Sequence, residues 1–217
     1  MNDKVLRQEI IDELDYDPSV ASAHIGVAVN QGVVTLSGHV PNYAQKRAAE
    51  QAARRVKGVR AIAEELKVDF GGAAPHGDED IARRALTVLD TDVLVPAGKV
   101  AVKVQQGWVT LSGDVDWNYE RTAAEDDVRK LRGVLGLTNL ITIKPRVDVQ
   151  DVERRIGQAL KRSAEIEAKA ITVTAKDGKV RLEGSVDSWS DRQALEHAVW
   201  SAPGVHAVED HVHVRVF

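Results

Sequence analysis

The sequence predicts an α+β protein of three tandem α-β-β-α-β units, each a two-layer sandwich with two helices on one face of a three-stranded sheet. Three observations carry this. The segment Gly32-Val-Val-Thr-Leu-Ser-Gly38-His-Val40 recurs as Gly107-Trp-Val-Thr-Leu-Ser-Gly113-Asp-Val115 and as Gly178-Lys-Val-Arg-Leu-Glu-Gly184-Ser-Val186. Twenty residues after the second glycine stands a Gly-Val pair each time: Gly58-Val59, Gly133-Val134 and Gly204-Val205. Between these landmarks the apolar period alternates between that of a helix and that of a strand.

Each element has its own signal. Apolar residues four apart open the units: Leu6, Ile10, Leu14; Ile81, Ala85, Leu89; Val152, Ile156, Leu160. That spacing makes one face of a helix. Asp3, Asp78 or Asp80, and Asp151 stand where an N-cap or a first-turn acid is favoured. Strict alternation follows in Ile25, Val27, Val29; Val100, Val102, Val104; and Ile171, Val173, Ala175, the pattern of a half-buried strand. A short turn ending in Gly32, Gly107 or Gly178 predicts a hairpin, because glycine accepts positive φ. The second strand buries Val34 and Leu36, Val109 and Leu111, Val180 and Leu182. A second helix runs from about Tyr43 to Lys57, Asn118 to Arg132 and Ser190 to Ala202. Its inner face is small: Ala49, Ala53, Val56; Ala124, Val128, Leu131; Leu195, Val199, Ala202. Gly58, Gly133 and Gly204 sit where a helix-terminating glycine belongs. The closing strand carries Leu66, Val68, Phe70; Ile141 and Ile143; Val212, Val214, Val216.

The expected domains are 1–70, 78–145 and 146–217, with a Gly/Pro-rich linker at 71–77. The second connection, Pro145-Arg-Val-Asp148, is shorter, so units 2 and 3 are expected to be more tightly coupled than units 1 and 2. The chain has 217 residues and a net charge of −4, from 29 basic and 33 acidic residues. That balance lacks the basic footprint of a nucleic-acid binder. The absence of cysteine excludes disulfides, thiol catalysis and Cys-based zinc sites. No apolar run reaches the roughly 18 residues of a membrane span. The opening MNDKVLRQEI has no apolar core of a secretory signal, which leads to an expected location in the cytoplasm.

The ordered set of V-x-L-x-G-x-V, an Ala-rich helix, Gly-Val and a closing strand resembles the BON domain, the family of bacterial osmotically inducible and nodulation proteins, in three tandem copies. Unit 3 departs most, with Arg181 and Glu183 where the others have Thr and Ser. The resemblance implies a non-enzymatic binding module linked to osmotic or envelope stress and to phospholipid surfaces or partner proteins. It implies no cofactor and brings no catalytic residues. Well-known relatives work in the periplasm, which is therefore the alternative compartment, and some relatives bind potassium.

Candidate sites follow from residue chemistry. The nine glycines Gly32, Gly38, Gly58, Gly107, Gly113, Gly133, Gly178, Gly184 and Gly204 have structural roles, because a phosphate cradle needs glycines clustered at a strand-to-helix turn. His211 and His213 are two apart on a strand and share its outer face, a weak metal pair for which Glu183 is a third ligand. The chain has no Gly-x-Ser-x-Gly elbow and no carboxylate pair set apart from the solvated acids, so an enzyme is not expected. The second helix of unit 1 collects Lys46, Arg47, Arg54, Arg55 and Lys57, with Arg60 just beyond and Glu50 as the one nearby acid, a patch suited to anionic headgroups. Tyr43, Trp117, Tyr119 and Trp189 gather at the junction of second strand and second helix, and Trp108 and Trp200 are further candidate anchors. The function expected is a non-catalytic BON-type binding protein. A protein-interaction scaffold without lipid binding and a small-ion or metabolite sensor are the alternatives.

Overall fold

A computed structural model of the chain describes residues 2–71, 77–145, 152–162 and 171–215, with side chains to residue 159 in the third stretch. Unit 1 comprises α1 (Asp3–Tyr16), β1 (Ile25–Asn30), β2 (Val33–Val40), α2 (Tyr43–Arg55) and β3 (Ala61–Val68). Unit 2 comprises α3 (Asp78–Thr91), β4 (Val100–Gln105), β5 (Trp108–Val115), α4 (Asn118–Arg129) and β6 (Gly136–Ile143). Unit 3 comprises α5 (Val152–Arg162), β7 (Ile171–Lys176), β8 (Lys179–Val186), α6 (Trp189–Trp200) and β9 (Ala207–Val214). The middle strand of each sheet is the second one, antiparallel to the first and parallel to the third. A parallel pair needs a crossover, and the second helix supplies it. Phe70 lies two residues past the end of β3. Asp151, Val216, the side chain of Leu160, and most of both connections between units lie outside the described residues.

The alternation fixes which face is dry. Val34 and Leu36, Val109 and Leu111, and Val180 and Leu182 are fully buried at the centre of their sheets. Leu6, Ile10 and Leu14 meet the first sheet from α1, and Ala49, Ala52 and Ala53 meet it from α2. In unit 1 these alanines let the α2 backbone approach its sheet closely, in keeping with the dense packing of protein interiors.

Asp3, Asp78 and Asp80 stand in the first helical turns, as expected, but none of them is the N-cap, and Asp3 and Asp78 do a further job. The N-cap of α1 is Asn2, whose side chain accepts the Lys4 N–H, and the N-cap position of α3 is Gly77. Asp3 and Asp78 reach across to the hairpin turns instead. Asp3 accepts the N–H groups of Gln31 and Gly32 at 2.8 and 3.2 Å, and Asp78 those of Gln106 and Gly107 at 2.8 Å each. These turns have positive φ at both central residues, with Gln31 at 51° and Gly32 at 77°. That conformation matches the twist of the flanking strands, but it points two amides outward without strand partners.

The conserved spacing of the three glycines within each unit has a physical cause. The hairpin glycine lies against the carbonyl of the Gly-Val turn: a Cβ at Gly32, Gly107 or Gly178 would press on the carbonyl oxygen of Gly58, Gly133 or Gly204. The Arg60, Leu135 and His206 N–H groups close the contact by donating to the hairpin glycine carbonyls at 2.8, 2.9 and 3.0 Å. Gly58 itself sits in a β-turn just after the helix, closed by the Val59 N–H on the Val56 carbonyl, rather than at the helix cap. The middle glycine meets a different neighbour: at Gly38 or Gly113 a Cβ would land on the carbonyl oxygen of His24 or Lys99.

Candidate functional site

The second helices place the candidate residues. Tyr43 and Trp189 are the first residues of α2 and α6, and Asn118 holds that position in α4. Each of the two rings leaves its own unit. Tyr43 packs against the core of unit 2, and Trp189 packs against the core of unit 1. Trp189 Nε1 donates to the Val59 carbonyl at 2.9 Å. Trp189 also lies beside two guanidinium groups, with Arg54 of unit 1 and Arg192 of its own helix 5.1 and 5.2 Å from the ring centre.

The third pair of units is joined from the other side. Trp200, the positional counterpart of Arg54, packs against the core of unit 2 as well as its own. Arg121 of α4 lies 4.5 Å from the centre of its ring, and burial lowers the pKa of that guanidinium from its ordinary value. All three pairs of units therefore touch, and the joints run head to tail: unit 1 on unit 2, unit 2 on unit 3, unit 3 on unit 1. The contact of α2 with α6 holds unit 1 to unit 3, units that are not neighbours in sequence. The sequence expectation tied coupling to linker length; these contacts tie it to rings and helices.

Between α2 and α6 lies a groove of about 410 Å³ lined by Arg47, Glu50, Arg54, Arg55, Arg192 and Glu196, among others. Its charges are paired. Arg47 and Arg54 both bind Glu50, Arg55 binds Glu13 and Asp17 of α1 and its C-cap, and Lys46 binds Glu64. The basic patch of unit 1 thus meets Glu13, Asp17 and Glu64 in addition to Glu50. Those partners are remote in sequence, so the local count missed them. Lys57 follows the helix and is exposed. Glu196 has its pKa raised by burial and by its hydrogen bond with Asp210, while Arg192 and Arg54 pull the other way. For Asp210, burial works upward, but the Val212 N–H and Arg192 bring it below the ordinary carboxylate value. The two carboxyl groups are coupled and titrate as a pair.

The rings at the start of α4 are placed otherwise. Trp117 is half-buried, and Tyr119 is 54% exposed. Glu120 accepts the N–H groups of Asp116 and Trp117 at 2.8 and 3.0 Å, which fastens the entry to the helix. Because Val100 pairs with Gly113, the connection from α3 to β4 and the connection from β5 to α4 lie at one end of unit 2. That end carries Val93, 96% exposed, and Leu94, 51% exposed. The apolar period did not single out these two residues, because they stand in a loop; the run Val93-Leu94-Val95 between Asp92 and Pro96, of which only Val95 is buried, was the available signal.

His211 and His213 are exposed on the outer face of β9, and Glu183, which pairs with His211 across the strands, is held by Arg181 at 2.7 Å. Among the described residues no group of three His, Asp or Glu side chains is arranged to hold a metal ion. Among them, too, no helix is long and apolar enough to cross a membrane.

Comparison with known proteins completes the picture. The chain is 31% identical over 148 residues to osmotically-inducible protein Y of Escherichia coli (strain K12), an alignment covering 66% of this chain and 74% of that protein. Two solved structures of CdsD, a structural protein of the type III secretion system of Chlamydia trachomatis, are 16% and 14% identical, each with a TM-score of 0.27. They cover 97% and 99% of this chain and 92% and 100% of theirs, the second being the C-terminal domain. The profile of the BON domain matches residues 2–69, 77–145 and 148–216. The α-β-β-α-β units with their three-glycine pattern, matched along nearly the whole chain, make this protein a member of the BON domain family with three tandem copies of the domain.

Proposed function

We propose that the chain is a non-catalytic binding protein of the osmotic or envelope stress response, built from domains 1–70, 78–145 and 146–217 that act as one attachment body. The likeness to osmotically-inducible protein Y supports the stress role. The cytoplasm is the proposed compartment and the periplasm the alternative. The observation that carries the binding reading is the end of unit 2, where Val93, Leu94 and Tyr119 stand in water beside the half-buried Trp117. Exposed apolar groups gathered at one end of a unit mark a contact surface. In this reading the tip inserts at a phospholipid surface, while Tyr43, Trp189 and Arg54 hold the units together and Arg55 ties α2 to α1 within unit 1. Lys57 borders the basic helix as a peripheral contact.

A second reading, a protein partner, is favoured by the acids near the tip. Asp90, Asp92, Asp114 and Asp116 stand on the flanking segments, against Lys99 and Lys144. Such a tip is repelled by anionic lipid over a screening length of about 8 Å. Co-sedimentation separates the readings. For lipid insertion, the chain binds phosphatidylcholine vesicles at least as well as phosphatidylglycerol vesicles, binding survives high salt, and Val93→Asp with Leu94→Asp abolishes it with folding intact. Absence of the chain from both pellets removes the lipid reading and leaves the partner reading ahead.

A further inference from the structure

Trp108 lies at the opposite end of unit 2 from the tip, on the open face of the sheet. It begins β5, beside the hairpin turn, and pairs with Gly136 across to β6. The six-membered part of its ring packs against Gly136, where a Cβ would collide with it. Its Nε1 donates to Thr138 Oγ1 at 2.8 Å, so the indole is held down at both ends. The side chain is still 51% exposed. Beside it lies a shallow hollow of about 280 Å³, which Trp108 lines together with Lys103, Gln105, Gln106 and Thr110. Unit 1 has Val33 and Ala61 at the two positions and unit 3 has Lys179 and Ala207, so the ring and the glycine beneath it occur together in unit 2 alone.

The rest of this face is nearly uncharged. Its outward residues are Ala101, Lys103 and Gln105 on β4, Trp108, Thr110, Ser112 and Asp114 on β5, and Thr138, Leu140 and Thr142 on β6. The same face of unit 3 carries Lys176, Lys179, Arg181, Glu183 and Glu209 with two histidines.

From this geometry we infer that the open sheet face of unit 2 is a saccharide-binding site, with Trp108 as its stacking platform. A pyranose ring presents a flat face of C–H groups, which the electron-rich face of an indole attracts, and a rim of hydroxyls. Gln105, Gln106, Thr110 and the Lys103 ammonium supply donors and acceptors at that rim. The two charges of the face, Lys103 and Asp114, are opposite in sign, which fits a neutral polyhydroxylated ligand better than an anionic one. Membrane insertion fits less well. An inserting tryptophan stands away from the surface and offers its N–H to the interface, whereas this ring packs on Gly136 and its N–H is already bonded to Thr138. The site is separate from the tip, so it stands or falls independently of the lipid reading.

Titration of the full chain with β-1,4-linked N-acetylglucosamine tetramer and with cellotetraose, followed by the indole N–H signals in ¹⁵N-correlated NMR spectra, tests the inference. The expected result is a saturable shift of the Trp108 signal with at least one sugar, insensitive to salt, with the other three indoles unmoved. Trp108→Ala abolishes sugar binding, and Gln105→Ala with Gln106→Ala weakens it about tenfold or more, as loss of two rim contacts does, with the indole signals of the fold retained. A Trp108 signal that moves with neither sugar overturns the inference. So does sugar binding that survives in the glutamine double variant and in Trp108→Ala, or a Trp108 signal that moves with phosphatidylcholine vesicles and not with sugar.

Discussion

Glycine 113 and glutamate 196 illustrate two ways in which a single residue is constrained. Gly113 has φ +138° and stands against the Lys99 carbonyl, so an alanine there meets both a forbidden backbone region and a backbone oxygen that cannot rotate away. Gly113→Ala is expected to cost at least about 2 kcal/mol, read from urea unfolding. Gly98, also at positive φ but with open space around it, is the control: Gly98→Ala carries the φ cost alone and is expected to lose about 1 kcal/mol. Glu196 is constrained by its surroundings. Its folded pKa lies above the unfolded value, so the native state binds the extra proton in the window between them. Its contribution is fullest below the ordinary value of 4.5 and is lost as pH rises through the folded value. Glu196→Gln is therefore expected to flatten this fall and to raise the melting temperature at neutral pH relative to the native chain. Asp17 runs the opposite way: hydrogen bonds from Ser19 and Arg55 lower its pKa, and its support, present above 3.8, is lost as pH falls. A melting series from about pH 2.5 to 8 on Asp17→Asn and Glu196→Gln should show opposite slopes of difference, that of Asp17 at the acid end and that of Glu196 above 4.5.

At the scale of elements, almost everything periodic was legible in the sequence. Helix faces, strand alternation and the hairpins all follow from spacing, because a core needs its apolar groups on one side of each element. What spacing did not convey was the work of single polar side chains. Asp3 and Asp78 read as helix-start acids, yet their carboxylates hold the hairpin turns 28 and 29 residues away. The local rule is satisfied by either role, so only the packed structure separates them. Asp78→Ala should free two outward amides and cost about 1–2 kcal/mol, with faster hydrogen exchange at Gln106 and Gly107 than elsewhere in β4 and β5. The candidate site was legible in part for the same reason. Tyr43 and Trp189 stood out as rings at equivalent junctions, but which neighbour receives them depends on tertiary contacts that no period encodes. The partners Glu13, Asp17 and Glu64 of the basic helix were hidden by distance along the chain. Val93 and Leu94 were hidden because a loop has no period at all.

For the whole molecule, the joints decide whether three small domains behave as one. A domain of about 70 residues is marginal alone, and each joint adds a half-buried ring with a guanidinium beside it or a hydrogen bond beneath it. Trp189→Ala is expected to cost about 2 kcal/mol, less than a fully buried Trp, and Trp200→Ala a similar amount. The double variant should lose the single cooperative unfolding transition and melt in two steps by calorimetry, with an increased radius of gyration. A double variant that still melts in one step would show that the helices hold the units without the rings.

The joints are also keyed. Two of them receive their ring from the leading residue of the second helix, Tyr43 or Trp189, while the joint from unit 2 to unit 3 has Asn118 at that position and receives Trp200 from the other side. The order of the units is thereby written into the surface as well as into the chain. A gene that starts at unit 2 and ends with unit 1 keeps every lock with its key. A gene that exchanges units 2 and 3 brings Tyr43 against Trp200 in one joint and leaves Asn118 facing Arg54 in another. The rearranged chain has the same composition and the same three folds, but only the rotated order retains the assembly.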